Sequence, residues 1–180
     1  MPAEALIVVD FQKDFTPGGA LAVPEGDRIA ERVNELAADP RFELVIATRD
    51  WHPPDHGSFK EQGGPWPVHC VQGSEGAELD PTLDVALMDV VLDAGQDPDT
   101  DGYSAFDGTA LEELLRERGI ERVTVVGLAT DYCVKHTALD ARHAGFDVVV
   151  DPEAVRGVEV HEGDSEKALE EMRGAGVTVA

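Results

Sequence analysis

The amino-acid sequence predicts an α/β sandwich of βαβ units around a parallel sheet, and three features carry that expectation. Six short, continuously apolar runs recur along the chain, helical patterns lie between several of them, and 180 residues with 42% hydrophobic content suffice for one well-buried core but hardly for two. Runs that are apolar at every residue, rather than at every second one, belong to strands covered on both faces, which is the parallel-sheet case. One domain, residues 1–180, is therefore expected, with no internal repeat, low-complexity tract or linker.

The elements follow in order. "ALIVV" (5–9) is the first strand and ends at Asp10. "GDRIAERVNELAAD" (26–39) spaces its apolar residues for a helix, and "LVIAT" (44–48) is the second strand, followed by Arg49 and Asp50. "VALMDVVL" (85–92) is the third strand and "GTALEELLRERG" (108–119) the next helix, closed by Gly119. "VTVVGL" (123–128) precedes "DYCVKHTALDARHAG" (131–145), which Gly145 closes. "DVVV" (147–150) leads to "GDSEKALEEMRGAG" (163–176), with Asp164 or Ser165 as its opening cap and Gly174 at its end, and "GVTV" (176–179) is the last strand. Residues 49–82 break the alternation: "RDWHPPDHGSFKEQGGPWPVHCVQGSEGAELDPT" is rich in Gly, Pro, His and Trp without a clear period. A loop of that length inside a compact domain is functional or disordered, and its aromatic residues speak against disorder.

Charge narrows the partners. With 14 Lys and Arg against 37 Asp and Glu, the formal charge is -23, and nucleic acid or an anionic membrane would repel the chain. No apolar run approaches the roughly 20 residues that span a bilayer. The N-terminus shows neither a basic segment nor a small-residue cleavage pattern, so a cytoplasmic protein is expected. In a reducing compartment, Cys70 and Cys133 suit thiol chemistry better than a disulfide.

In an open parallel sheet, ligands bind beyond the carboxyl ends of the strands. Asp10, Asp50 and Cys133 all follow strand ends. Each has a bland reading: a carboxylate that caps a turn, a small buried thiol. Cys133, however, falls in the first turn of a helix, where free amides and the positive end of the helix dipole favour thiolate and can hold an oxyanion. A carboxylate such as Asp10 nearby would take the thiol proton and later return it to a leaving group. Cys70, inside the loop, reads as packed filler. The loop places His52, His56 and His69 within 18 residues. In extended backbone, Asp50 and His52 share a face and converge on one cation; His69 would complete a set of three with open positions, and His56 is a fourth ligand or a supporting partner. Structural histidines are the competing reading of the same spacing. His136, His143 and His161 lack such company and read as surface residues.

"ALIVVDFQKDFTPGGALAV", "TRDWHPPDHGSFKEQGGPWPVHCVQG", "DGYSAF" and "GLATDYCVKHTALDA" together resemble the nicotinamidases of the isochorismatase-like cysteine hydrolases, from about residue 5 to the C-terminus. The resemblance implies a three-layer α/β/α sandwich with a mainly parallel six-stranded sheet, and hydrolysis of nicotinamide, and of pyrazinamide-like analogues, to the acid and ammonia. It implies Asp10 as general acid/base and Cys133 as the nucleophile that forms a thioester. Amides of Ala129 and Cys133 would make the oxyanion hole, with a cis peptide between Ala129 and Thr130. Asp50, His52 and His69 match metal ligands, for zinc or else iron or manganese, with the metal on the pyridine nitrogen. Phe15, Trp66 and Tyr103 match the walls of a flat ring site. One position departs: the family's third catalytic residue, a lysine nine residues before the tyrosine, is Ala94 here. An impaired amidase, a non-catalytic binder of nicotinamide-like rings, and an amidase for carbamoyl or maleamate substrates are the readings this leaves. The partner implied is a small molecule, and a homo-oligomer stays open.

Overall fold

The computed structural model describes residues 2–180. Strands β1 (Glu4–Val9), β2 (Phe42–Asp50), β3 (Val90–Ala94), β4 (Arg122–Leu128), β5 (Asp147–Arg156) and β6 (Thr178–Val179) form one sheet in the order β3-β2-β1-β4-β5-β6. Every neighbouring pair is parallel. Successive side chains of a strand face opposite ways, and β1 shows how that fills two layers. Ala5, Ile7 and Val9 pack with residues of helices α2 (Leu111–Glu117), α3 (Lys135–His143) and α4 (Asp164–Gly174), whereas Leu6 and Val8 pack with Val33 and Leu36 of α1 (Ala30–Ala37). These β1 side chains are at most 1% exposed, and each large one contributes about 1.5–3 kcal/mol on burial. The result is the expected three-layer sandwich.

Boundaries differ in instructive places. Of the run 85–92, Val85–Leu87 is a 3-10 turn with Asp84 accepting from the Ala86 amide, and the strand begins at Val90. Val85 is exposed, so an apolar residue there carried no burial signal. β5 runs past Pro152 to Arg156 because its pairing with β4 skips residues: Val125 pairs with Val150, Gly127 with Val155. An irregular ladder is where a strand tolerates proline. At α4, neither Asp164 nor Ser165 caps the helix from the preceding position; Gly163 stands there, and the Asp164 carboxylate accepts from the His161 amide instead. Gly119 and Gly145 take the expected left-handed conformation, whereas Gly174 is the last residue of α4 and Gly176 turns the chain. No helix of the described residues is long and apolar enough to cross a membrane.

The connections from β1 leave to β2 on one side of the sheet and, across the chain, β4 lies on the other. The reversal opens a crevice at the carboxyl ends of β1, β2, β3 and β4, and Asp10, Asp50, Ala94 and Ala129 lie at or just beyond those ends.

Candidate active site

Asp10 is 3% exposed and takes φ 48° immediately after β1, a conformation uncommon for a non-glycine residue. The turn is held on both sides: the Asp10 amide donates to the Thr48 carbonyl, and Thr48 Oγ1–H donates to Asp10 Oδ1 at 2.8 Å. Cys133 Sγ lies within 4.8 Å of a carboxylate oxygen of Asp10. Burial and, after it, the charge of Asp50 push Asp10 well above the usual carboxylate range. Burial and then the charges of Asp10 and Asp50 push the Cys133 thiol well above its ordinary value. Cys133 lies not in an α-helical first turn, as the sequence suggested, but in a π-type turn, Thr130–Val134, that leads into α3. The wider turn brings in the Ala129 carbonyl, which accepts from the Tyr132 and Val134 amides. That tie also bears on the cis peptide, which lies between Leu128 and Ala129, one bond earlier than expected. The 129–130 peptide is anchored by its carbonyl to the turn.

Asp50, His52 and His69 bring one ligand atom each within 4.8 Å of the others, and all three are buried. Asp50 Oδ2 lies 3.3 Å from His52 Nε2 and 4.0 Å from His69 Nε2. The other ring nitrogens are occupied: His52 Nδ1 bonds the Gly95 carbonyl at 2.6 Å and His69 Nδ1 the Pro67 carbonyl at 2.8 Å. A carbonyl accepts only from N–H, so each Nδ1 carries the proton and each Nε2 presents a lone pair toward the centre. That is the tautomer a metal requires, fixed by the protein before any ion binds. Two imidazole nitrogens and a carboxylate oxygen suit zinc or another first-row ion. Burial lowers His69; in His52 burial acts the same way but is outweighed by Asp50, the Gly95 carbonyl and Asp10 together, so its net shift is upward. Gln12, fully buried, clamps the Asp50 backbone from both sides, Nε2–H to its carbonyl and Oε1 from its amide, each at 2.8 Å.

His56 stands apart from this set. Its ring lies 3.9 Å from that of His52, with Nδ1 2.7 Å from Ser58 Oγ and Nε2 buried without a partner. His136 is not a surface residue: it is half-buried and its ring stacks on Tyr103 with centroids 5.2 Å apart, because α3 carries it under the "DGYSAF" turn. His143 and His161 are exposed or hydrogen-bond locally, as expected. Cys70 is fully buried, with its thiol pushed well up by burial, which fits filler.

Above these groups lies a narrow cleft with aromatic walls. Phe15, Trp66, Tyr103, Ala129 and Cys133 line it with Asp50, His52 and His69. Trp66 Nε1–H donates to Tyr103 Oη at 3.1 Å and joins two walls. Thr130, expected among the binding residues, does not line this cleft; it is 2% exposed and borders a separate cavity with Arg156 and Leu169, because the π-type turn carries it to the opposite side. Ala94 is buried at the end of β3, in register with Asp50, and borders a neighbouring cleft. Leu21, Ser58, Asp101, Tyr132 and Val158 complete the lining without having been singled out in the sequence. Tyr132, aromatic and adjacent to Cys133, carried a usable signal; Leu21 and Val158 did not.

The isochorismatase-domain family model matches residues 4–180. The chain belongs to the isochorismatase family. Among its isochorismatase-family relatives, it is 45% identical over 202 residues to the nicotinamidase of Escherichia coli (strain K12), covering 99% of this chain and 95% of that one. A crystal structure of Pyrococcus horikoshii pyrazinamidase in complex with zinc superposes with TM-score 0.87 at 48% identity, covering 99% of both chains. The structure of PnC1 from L. infantum in complex with nicotinate superposes with TM-score 0.94 at 39% identity, over 99% of this chain and 92% of that one.

Proposed function

We propose that this isochorismatase-family chain is a metal-containing cysteine amidohydrolase that converts nicotinamide to nicotinic acid and ammonia, and that Ala94 impairs it. The observation that carries the reading is the buried pair of Asp10 and Cys133, with ligand atoms within 4.8 Å of each other and Cys133 lining an aromatic cleft, beside two histidines whose Nδ1 atoms are tied to backbone carbonyls. The nicotinamidase and pyrazinamidase relatives, one of them holding zinc, support the substrate and the ion.

In the chemistry this arrangement supports, Asp10 takes the proton of the Cys133 thiol as Sγ bonds to the amide carbon. Amides of Ala129 and Cys133 hold the negative charge that develops on the carbonyl oxygen. The C–N bond then breaks while Asp10 returns the proton to nitrogen, leaving ammonia and a thioester on Cys133. Asp10 next removes a proton from water, whose oxygen attacks the thioester; the C–S bond breaks, the proton goes to sulfur, and the acid departs. Asp50, His52 and His69 would hold the metal, zinc by preference, which when bound would give the ring nitrogen a coordination point. Phe15, Trp66 and Tyr103 orient the flat ring and exclude water.

The impairment follows from charge. Among the described residues, no Lys or Arg pairs with Asp10 or Asp50, and both carboxylates raise the thiol. A cation at position 94 would offset them. Ammonia release from nicotinamide by the metal-loaded protein and by Ala94→Lys is the test. A gain of about 10²–10⁴-fold in turnover is expected, the span of one acid–base group or more. A folded, metal-loaded variant that turns over no faster would favour the non-catalytic binder, or another amide substrate.

A further inference from the structure

The segment that carries Tyr103 is attached to α3 at two points, and the two hold different things. The Ala105 amide donates to Thr137 Oγ1 at 2.9 Å, a buried bond that fixes the backbone just after Tyr103. That bond leaves the Tyr103 side chain free to choose among its rotamers. The ring itself is gripped by Tyr132 and His136, four residues apart on the turn and helix that also present Cys133. Its centroid lies 5.5 Å from that of Tyr132, tilted at 54°, and 5.2 Å from that of His136, stacked at 25°. Trp66 closes the wall, with its indole N–H on Tyr103 Oη and its ring edge-on to Tyr132 at 5.0 Å. Trp66, Tyr103 and Tyr132 all line the cleft, whereas His136 lines a neighbouring acidic pocket that shares Tyr103 and Asp101 with it. An imidazole can stack through one face and still meet a carboxylate-lined pocket with its polar edge. Burial, and then the charge of Lys135, lower the His136 pKa from its ordinary value against Asp140, Asp101 and Glu171, so the ring that stacks at neutral pH is uncharged.

We propose that His136 is a positioning residue for the substrate ring: by stacking on Tyr103 it holds the tyrosine, and through it Trp66, in the orientation that forms the wall of the cleft. The identity of that ring rests on the nicotinamidase reading. The backbone tie at Ala105 survives when His136 is replaced, so what a smaller side chain releases is the rotamer of Tyr103 rather than the turn. Amide hydrolysis leaves the ring unchanged, so contact with the ring favours substrate and transition state alike, and loss of the grip weakens binding without slowing the bound substrate.

The test measures nicotinamide binding by calorimetry, and ammonia release, with the metal-loaded unsubstituted protein, His136→Ala and His136→Phe, each checked for folding by its unfolding midpoint. His136→Ala should raise Kd and KM together by about 3–10-fold, the span of one aromatic pair, with kcat changed less than about twofold. His136→Phe, which keeps a flat face against Tyr103, should restore both to within about twofold of the unsubstituted protein, by the same stacking. If His136→Ala does not fold, His136→Leu, which fills the space without a flat face, should show the same loss. Unchanged binding in His136→Ala, a loss that His136→Phe does not restore, or a fall in kcat at unchanged KM would overturn the positioning role. The expected pattern of Kd with no ammonia released by any of the proteins would keep that role and refute the amidase. Ammonia release with the same Kd in all of them would do the reverse, and no nicotinamide binding by any of them would overturn both.

Discussion

Gly95→Ala offers a severe test of the metal site, because the substituted residue binds no metal. Gly95 takes φ 66°, and a Cβ there would stand 2.7 Å from His52 Cε1 and 3.0 Å from His52 Nδ1. Carbon atoms pack at about 3.5 Å or more, so the His52 ring must retreat by roughly 0.8 Å, or the backbone must leave the left-handed region. Retreat is obstructed: the ring is held to the Gly95 carbonyl and packs against His56 and Phe59. Metal–ligand distances tolerate only about 0.2 Å. Disturbing the partner that fixes His52 should weaken metal binding by about 10–100-fold, and the left-handed alanine costs a further 1–2 kcal/mol or so of stability. Competition for zinc against a chromophoric chelator measures the first effect and denaturant unfolding of metal-free protein the second. Unchanged zinc affinity in a folded Gly95→Ala protein would refute the assignment of His52 as a ligand.

Three further outcomes are expected. Asp10→Asn should abolish amide hydrolysis yet stabilise the metal-free protein: the raised pKa of Asp10 means its carboxyl favours folding below about 3.8 and loses that contribution as pH rises through the native value, so the variant's advantage, read by urea unfolding, should grow with pH and then level off. Ala94→Lys should move the pH profile of Cys133 alkylation by iodoacetamide downward by about 1–3 pH units, the effect of an opposite charge nearby, while Cys70, buried and raised, stays slow in peptide mapping. Trp66→Phe removes the N–H to Tyr103 Oη, worth about 0.5–1.5 kcal/mol, and should raise KM several-fold in steady-state assays with little change in kcat.

The fold was legible because strands buried on both faces leave an unbroken apolar run, and β1, β2 and β4 lie within one or two residues of the runs that announced them. The third run misled at Val85–Leu87, where apolar residues turn in the open and composition cannot distinguish them from a strand. At the site, Asp10, Asp50 and Cys133 could be found from their places at strand ends alone, and the histidines from spacing within an anomalous loop. Geometry that depends on backbone conformation was not legible: the π-type turn that sends Thr130 away from the cleft, and the placement of the cis bond before Ala129. Nor was Gln12, whose clamp on Asp50 joins residues 38 apart in sequence. The Ala94 departure could be read only against a family pattern, since an alanine at a strand end raises no question by itself.

Side-by-side ammonia release from nicotinamide by the metal-loaded protein, with and without Cys133→Ala, in both the Ala94 and Ala94→Lys backgrounds, tests the central claim most directly. The account predicts slow release with Ala94, much faster release with lysine, and none above the uncatalysed rate in either background once Cys133 is alanine. Release that survives the loss of Cys133, or that is absent in all four proteins although each folds and holds its metal, would contradict it.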